Sequence, residues 1–190
     1  MLTGLLKDRP TLREMLDLLS DRYDMSFRID ESAFTKAGRD VSKARPQSDL
    51  LDEVNLNTVL HSLLESVDAT FELRQRTIWI VPSPRPQSLA ERLPPPDAHF
   101  LGGFYALINV QPGIPKGTFL PKALERFQMR IFIDHRAFER AGIKDIDQRS
   151  VQLAEKVDVR LSAVLRELCQ QTGTDFVVRD HIVLIVPSRK

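Results

Sequence analysis

Cysteine is nearly absent from this chain: Cys169 is the only one. A lone thiol excludes an internal disulfide and any Cys-based zinc site. The four histidines, His61, His99, His135 and His181, are scattered without metal-ligand spacing. Neither sign of charge dominates, with 27 basic and 26 acidic side chains and a net charge of +1. Residues 1–95 carry 13 basic and 15 acidic groups, and residues 96–190 carry 14 and 11. Neither half has the basic excess that marks a nucleic-acid binder. No apolar run approaches the ~20 residues that a membrane-spanning helix needs. The start of the chain, with Leu2, Leu5 and Leu6 ahead of Lys7, lacks the basic start, apolar run and small-residue site of a secretory signal. Apolar content of 42% and charged content of 28% are ordinary for a folded globular chain.

What the chain does have is a stretch that occurs twice. Met25, Ile29, Asp30, Ala33, Phe34, Ala37 and Gly38 return at the same spacing as Met129, Ile133, Asp134, Ala137, Phe138, Ala141 and Gly142. Each copy reads as a strand, an Asp helix cap, a short helix and a glycine stop. Residues 25–83 align with 129–188 if Ile143 is one extra residue, and 20 of 59 pairs are identical. Average residue usage gives roughly 6% identity by chance, about four pairs. Internal repetition at this level predicts a tandem duplication.

The spacing predicts a helix from Thr11, where Thr11 and Glu14 fit a capping box and Leu12, Met15, Leu16, Leu19 and Tyr23 share one face. A strand over Met25 to Ile29 and the short helix capped by Asp30 follow. A polar loop runs from Arg39 to Asp49, and Leu50 to Val54 reads as a weak strand. Asn55 caps a second helix that buries Leu56, Val59, Leu60, Leu63, Leu64 and Val67. Strands over 70–73 and 77–81 form a hairpin. Prolines 82, 84, 86, 94, 95 and 96 then predict a stiff linker, with one helical turn at Leu89 to Leu93. The second unit opens with a strand over Phe104 to Val110 and a turn-rich loop over 111–117. A helix starts near Pro121 and buries Leu120, Leu124 and Phe127. After the repeated block come a strand over Val151 to Val157, a helix with Leu161, Val164, Leu165 and Leu168, and a closing hairpin. The fold class is α+β, two tandem repeats of an α-β-(short α)-β-α-β-β unit. The first unit covers 1–83, the linker 84–100 and the second unit 101–190.

This order resembles the short N-terminal domain of secretins and TonB-dependent transducers, the STN domain. The resemblance rests on Leu12 and Leu16 with Ile29 and Asp30, then Leu56, Val59, Leu60 and Leu63 with Ile78 to Val81. The second copy offers Leu120 and Leu124 with Ile133 and Asp134, then Leu161, Val164, Leu165 and Leu168 with Ile182 to Val186. The resemblance implies two helices packed with small sheets. It also implies a periplasmic or exported location, and protein–protein contact without catalysis. A cytoplasmic location is compatible with the residues themselves. Two features depart from the family: the domain is doubled, and the block from Asp30 to Gly38 is longer than the usual loop.

Site candidates were weighed against plainer roles. Asp30 and Asp134 recur at matched positions, so they can be read as an acid/base pair of a hydrolase at an inter-domain cleft, or as two helix caps; the caps account for them more simply. Cys169 falls late in a helix, at the position of Leu64, which suits a buried apolar role better than a nucleophile. Arg74, Arg76 and Arg179 can be read as a nucleic-acid edge or as solvated turn residues. The last strands are apolar on both faces, which a half-exposed antiparallel strand is not. Either both faces are covered within the unit, or Trp79, Val81, Leu184 and Val186, with Arg74 and Arg179, meet a partner. The expectation is a non-catalytic interaction or scaffolding module with a protein partner or self-association. No cofactor, metal, small-molecule substrate or membrane span is expected. The alternatives are a nucleic-acid-binding tandem and a hydrolase.

Overall fold

The computed structural model describes residues 10–41, 44–46, 55–97, 100, 104, 106–127 and 129–188. The strand expected over Leu50 to Val54 lies outside them. The chain is α+β, and its described residues form seven α-helices and several small sheets. It divides into two compact units between Gln87 and Ser88.

The first unit begins with α1 (Leu12–Tyr23), which buries Leu12, Met15, Leu16 and Leu19. Its expected capping box is present: the Glu14 N–H donates to Thr11 Oγ1 at 3.3 Å, and the Thr11 N–H donates to Glu14 Oε2 at 2.7 Å. The backbone hydrogen bond from Thr11 is the main reason that the Glu14 carboxyl is held below its ordinary pKa. Asp24 ends α1 in the left-handed region. Then come β1 (Ser26–Ile29), α2 (Glu31–Lys36), α3 (Leu56–Glu65), β2 (Ala69–Arg74) and β3 (Thr77–Pro82). The sheet has three strands in the order β1-β3-β2. β3 pairs parallel to β1 and antiparallel to β2. A central strand of this kind has neighbours on both edges, so its backbone groups are spent internally. Gln75 and Arg76, both at positive φ, make a two-residue hairpin turn of the primed kind that suits strand twist.

The second unit opens with α4 (Leu89–Arg92), then β4 (Leu107–Val110), β5 (Ile114–Phe119) and α5 (Leu120–Leu124). β6 (Ile131–Ile133), α6 (His135–Arg140), a 3₁₀ turn at Ile146–Gln148, β7 (Ser150–Leu153) and β8 (Lys156–Arg160) follow. α7 (Leu161–Thr172), β9 (Thr174–Arg179) and β10 (Ile182–Pro187) complete it. The three-stranded sheet has the order β6-β10-β9, again with a parallel and an antiparallel neighbour for the central strand. Its core gathers Phe104, Leu120, Leu124, Phe138, Val164, Leu165, Leu168, Val183 and Ile185.

Several sequence expectations need correction here. The strand expected over Val151 to Val157 is two strands, β7 on β5 and β8 on β4, because the chain changes partners at Ala154 and Glu155. The loop expected over 111–117 gives way to strand from Ile114. Pro115 is tolerated because β5 has one partner only and its register shifts between Ile114 and Thr118. Phe104 is buried outside the strand, which begins at Leu107. The proline-rich stretch expected as a linker over 84–100 is largely packed into the second unit: Leu89 and Leu93 are buried, and the Asp180 N–H donates to the Pro94 carbonyl at 2.8 Å.

Gly113 sits where the β4–β5 connection passes close to the end of β7. A Cβ there would meet the Leu153 carbonyl oxygen at 2.5 Å and the Glu155 nitrogen at 2.8 Å. Both are backbone atoms and cannot swing aside. Gly113→Ala is expected to cost about 1–3 kcal/mol by overpacking. Urea unfolding of the variant checks this, and a cost below a few tenths of that would show that the connection gives way.

Candidate interaction surface

The alternation of strand side chains sorts each sheet into two faces. In the first unit Ile78 and Ile80 of β3 point with Leu73, Phe71, Phe27 and Ile29 of their neighbours. The opposite face carries Trp79 with its direct partners Glu72 on β2 and Arg28 on β1. Arg74 lies one pair away. Trp79 is half-buried, and two guanidinium groups flank its ring: Arg28 at 5.8 Å and Arg74 at 5.7 Å from the centroid. Cations at this distance are attracted to the indole face. The arginine of the hairpin therefore has an aromatic ring beside it. Arg74 donates from Nε and Nη2 to Glu72 Oε2 at 2.9 and 2.6 Å, and its Nη1 stands 3.7 Å from Asp30 Oδ2. Val81, on the same face, is buried.

Asp30 caps α2 as expected. Its Oδ1 accepts from the Ala33 N–H at 3.0 Å and from the Ser32 hydroxyl at 2.9 Å. The Ala33 hydrogen bond first, then Ser32, then the nearby cations Arg74 and Lys36 hold the carboxyl below its ordinary pKa. Such a depressed group supports the fold at pH values above its unfolded pKa, and the support is lost as pH falls through the folded one. At neutral pH Asp30 is an anion.

The matched face of the second unit looks different. Leu184 replaces Trp79, Val177 replaces Glu72 and Phe132 replaces Arg28, and the register pairs Leu184 with both neighbours. This face is covered. Leu184 is 0% exposed, which corrects the expectation that it lies open to a partner. On this side of the sheet the segment Ser88 to Pro94 is hydrogen-bonded to Asp134, Arg179 and Asp180. Asp134 caps α6 through Oδ1, which accepts from the Ala137 N–H at 2.9 Å. Its Oδ2 accepts from the Ala90 N–H, also at 2.9 Å. Arg179 Nε donates to the carbonyl of the same Ala90 at 3.1 Å. One carboxylate and one guanidinium thus hold both polar groups of a single residue. Glu91 accepts from Arg140 of α6, and from the Ser88 N–H at 2.8 Å. Val186 is half-buried on the same strand.

Arg76 is exposed in the hairpin turn, and most of the other sequence candidates have structural partners. Cys169 is buried in α7, and burial pushes its thiol pKa up, away from a reactive thiolate. His135 lies 3.0 Å from Asp147, His181 lies 3.4 Å from Asp180, and His61 packs on Phe71 with ring centroids 5.1 Å apart. His99 lies outside the described residues. A surface hollow of about 460 Å³ beside α2 is lined by Glu31, Phe34, Thr35 and Val41 among others, and includes none of the expected site residues.

Sequence reasoning missed Ala90, Glu91 and Arg28. The first two carried a signal: Ser88 and Glu91 have capping-box spacing, which marks the start of a helical turn inside the prolines. Arg28 carried none, because only the parallel register of β1 on β3 sets it against Trp79. Comparison with protein-family models, curated proteins and solved structures gave no match.

Proposed function

We propose that this chain is a non-catalytic protein–protein interaction or scaffolding module of a bacterial envelope or exported protein. In this reading it is a tandem duplication of an STN-like unit. The observation that carries the reading is the peptide clamp of the second unit. Asp134, one of the two aspartates open to an acid/base interpretation, and Arg179 are spent on the backbone of Ala90. They recognise polypeptide and do no chemistry on it. The common strand order of β1-β3-β2 and β6-β10-β9 supports the duplication. The 20 identical pairs support it independently.

A second reading has one specific observation in its favour. Trp79 with Arg28 and Arg74 is an aromatic ring between cations, which is also how single-stranded nucleic acid is stacked and neutralised. One experiment separates the two. The immobilised chain and its Trp79→Ser variant are exposed to solubilised envelope proteins and to labelled single-stranded RNA, at low and high salt. A protein retained by the wild type and lost from the variant, with no RNA retained, is the expected result. RNA retained at low salt and released at high salt would replace the first reading by the second.

A further inference from the structure

The clamp that holds Ala90 in the second unit has a matched pair in the first that, among the described residues, holds no peptide group. Asp30 corresponds to Asp134 and Arg74 to Arg179. In the second unit the Ala90 N–H and carbonyl lie between carboxylate and guanidinium. In the first, Asp30 Oδ2 and Arg74 Nη1 face each other at 3.7 Å, beyond hydrogen-bond length. Asp30 meets its capping duty through Oδ1, as Asp134 does. Asp30 Oδ2 and Arg74 Nη1 are therefore the acceptor and donor that a peptide would meet, while Arg74 Nε, the counterpart of the Arg179 Nε that holds Ala90, is spent on the exposed Glu72.

We propose that Asp30, Arg74 and Trp79 form a docking site for a short capped helical turn from another protein, of the same chemistry as Ser88 to Leu93. This rests on the interaction-module reading above and names the kind of partner. The face has a counterpart for the carboxylate, the guanidinium, the central strand residue and the α-helical cation of the second unit. Asp30 Oδ2 accepts a first-turn N–H, and Arg74 donates to the carbonyl of the same residue. Trp79, at the position of Leu184, gives an apolar floor of larger area for a leucine at the position of Leu89. Lys36 stands at the position of Arg140, which binds Glu91. The incoming segment thus carries a Ser or Thr cap, a leucine, a residue with both backbone groups unspent, and a glutamate. Phe132 and Val177 of the covered face are replaced by Arg28 and Glu72. That exchange keeps the first face soluble until a partner arrives, whereas the second is permanently sealed by its own chain.

Trp79 is the only tryptophan, so its emission reports on this face. The test titrates the full chain with a synthetic peptide of residues 86–96 of this sequence. The expected result is a saturable blue shift of Trp79 emission. Binding should weaken about tenfold in Arg74→Ala and in Asp30→Asn, which keeps a capping side chain, because each removes one peptide hydrogen bond. Arg166→Ala, at an exposed position of α7 outside both clamps, should leave the titration unchanged. A peptide carrying Ala90→Pro lacks the clamped N–H but keeps its first helical turn, and should bind at least tenfold more weakly. No shift, or a shift equal in wild type, Arg74→Ala and the Ala90→Pro peptide, overturns the docking site. If the chain still captures a protein through Trp79 in that case, the interaction-module reading stands without it. If labelled RNA competes with the peptide for the Trp79 signal, the docking site is overturned in favour of a nucleic-acid face.

Discussion

Phe138→Ala is expected to remove about 3–5 kcal/mol from the second unit, the usual range for truncating a fully buried aromatic ring. Phe138 is 1% exposed and belongs to the core that α6 shares with α7 and β10. The helix that carries it is six residues long, too short to hold itself together in water. It persists because Asp134 caps one end and Phe138 anchors the middle. Removing the ring therefore opens a cavity and frees the helix at once. Hydrogen exchange in peptides from β9, β10 and α7 reads the loss in the second unit. The matched Phe34, also 1% exposed, should behave alike in α2. A loss below about 1 kcal/mol at Phe138 would mean that the core collapses around the gap without penalty.

Asp134→Ala is expected to cost about 2–4 kcal/mol, and the matched Asp30→Ala, which loses a cap alone, clearly less. Both lose a helix cap. Only Asp134 is 2% exposed and also accepts from Ala90, so its loss strands two backbone N–H groups in buried surroundings. The loosened α4 should then expose Leu184. Binding of an apolar dye to the variant, together with urea unfolding, checks both halves of this expectation. Equal costs at the two aspartates would show that the Ala90 contact contributes nothing to the second unit.

Much of this fold was legible in the order of residues. The capping box of Thr11 and Glu14, the buried stripe of Leu12, Met15, Leu16 and Leu19, and the Asp caps at 30 and 134 are local patterns, set within a few residues of each other. The hairpins could be read for the same reason. The change of partner at Ala154 and Glu155 could not, since it depends on β4 and β5, more than thirty residues away in the chain. Pro115 argued for loop, and only the single-partner position of β5 makes strand possible there. The prolines from 82 to 96 argued for a linker. Their density says that no long helix or central strand runs through them, but it is silent on where a four-residue turn will dock.

The candidate site divides along the same line. The apolar character of both faces of β3 and β10 was visible as alternation failing, and so was the choice it posed between internal cover and an outside partner. Which unit takes which answer was not. Leu184 and Trp79 occupy matched positions, yet one is buried on the side of the sheet that holds Ser88 to Pro94 and the other stands between two arginines.

Sequence alone determined the α+β class, the repeated block and the capped helices, because these follow from residue spacing and from hydrogen bonds made within a single turn. Tertiary structure alone decided that Asp134 and Arg179 grip Ala90 while Asp30 and Arg74 grip no backbone residue in this way among the described residues. The physical reason is that a backbone N–H and carbonyl are the same in every residue. No side chain announces which one a distant carboxylate and guanidinium will hold; only the folded path of the chain brings them together.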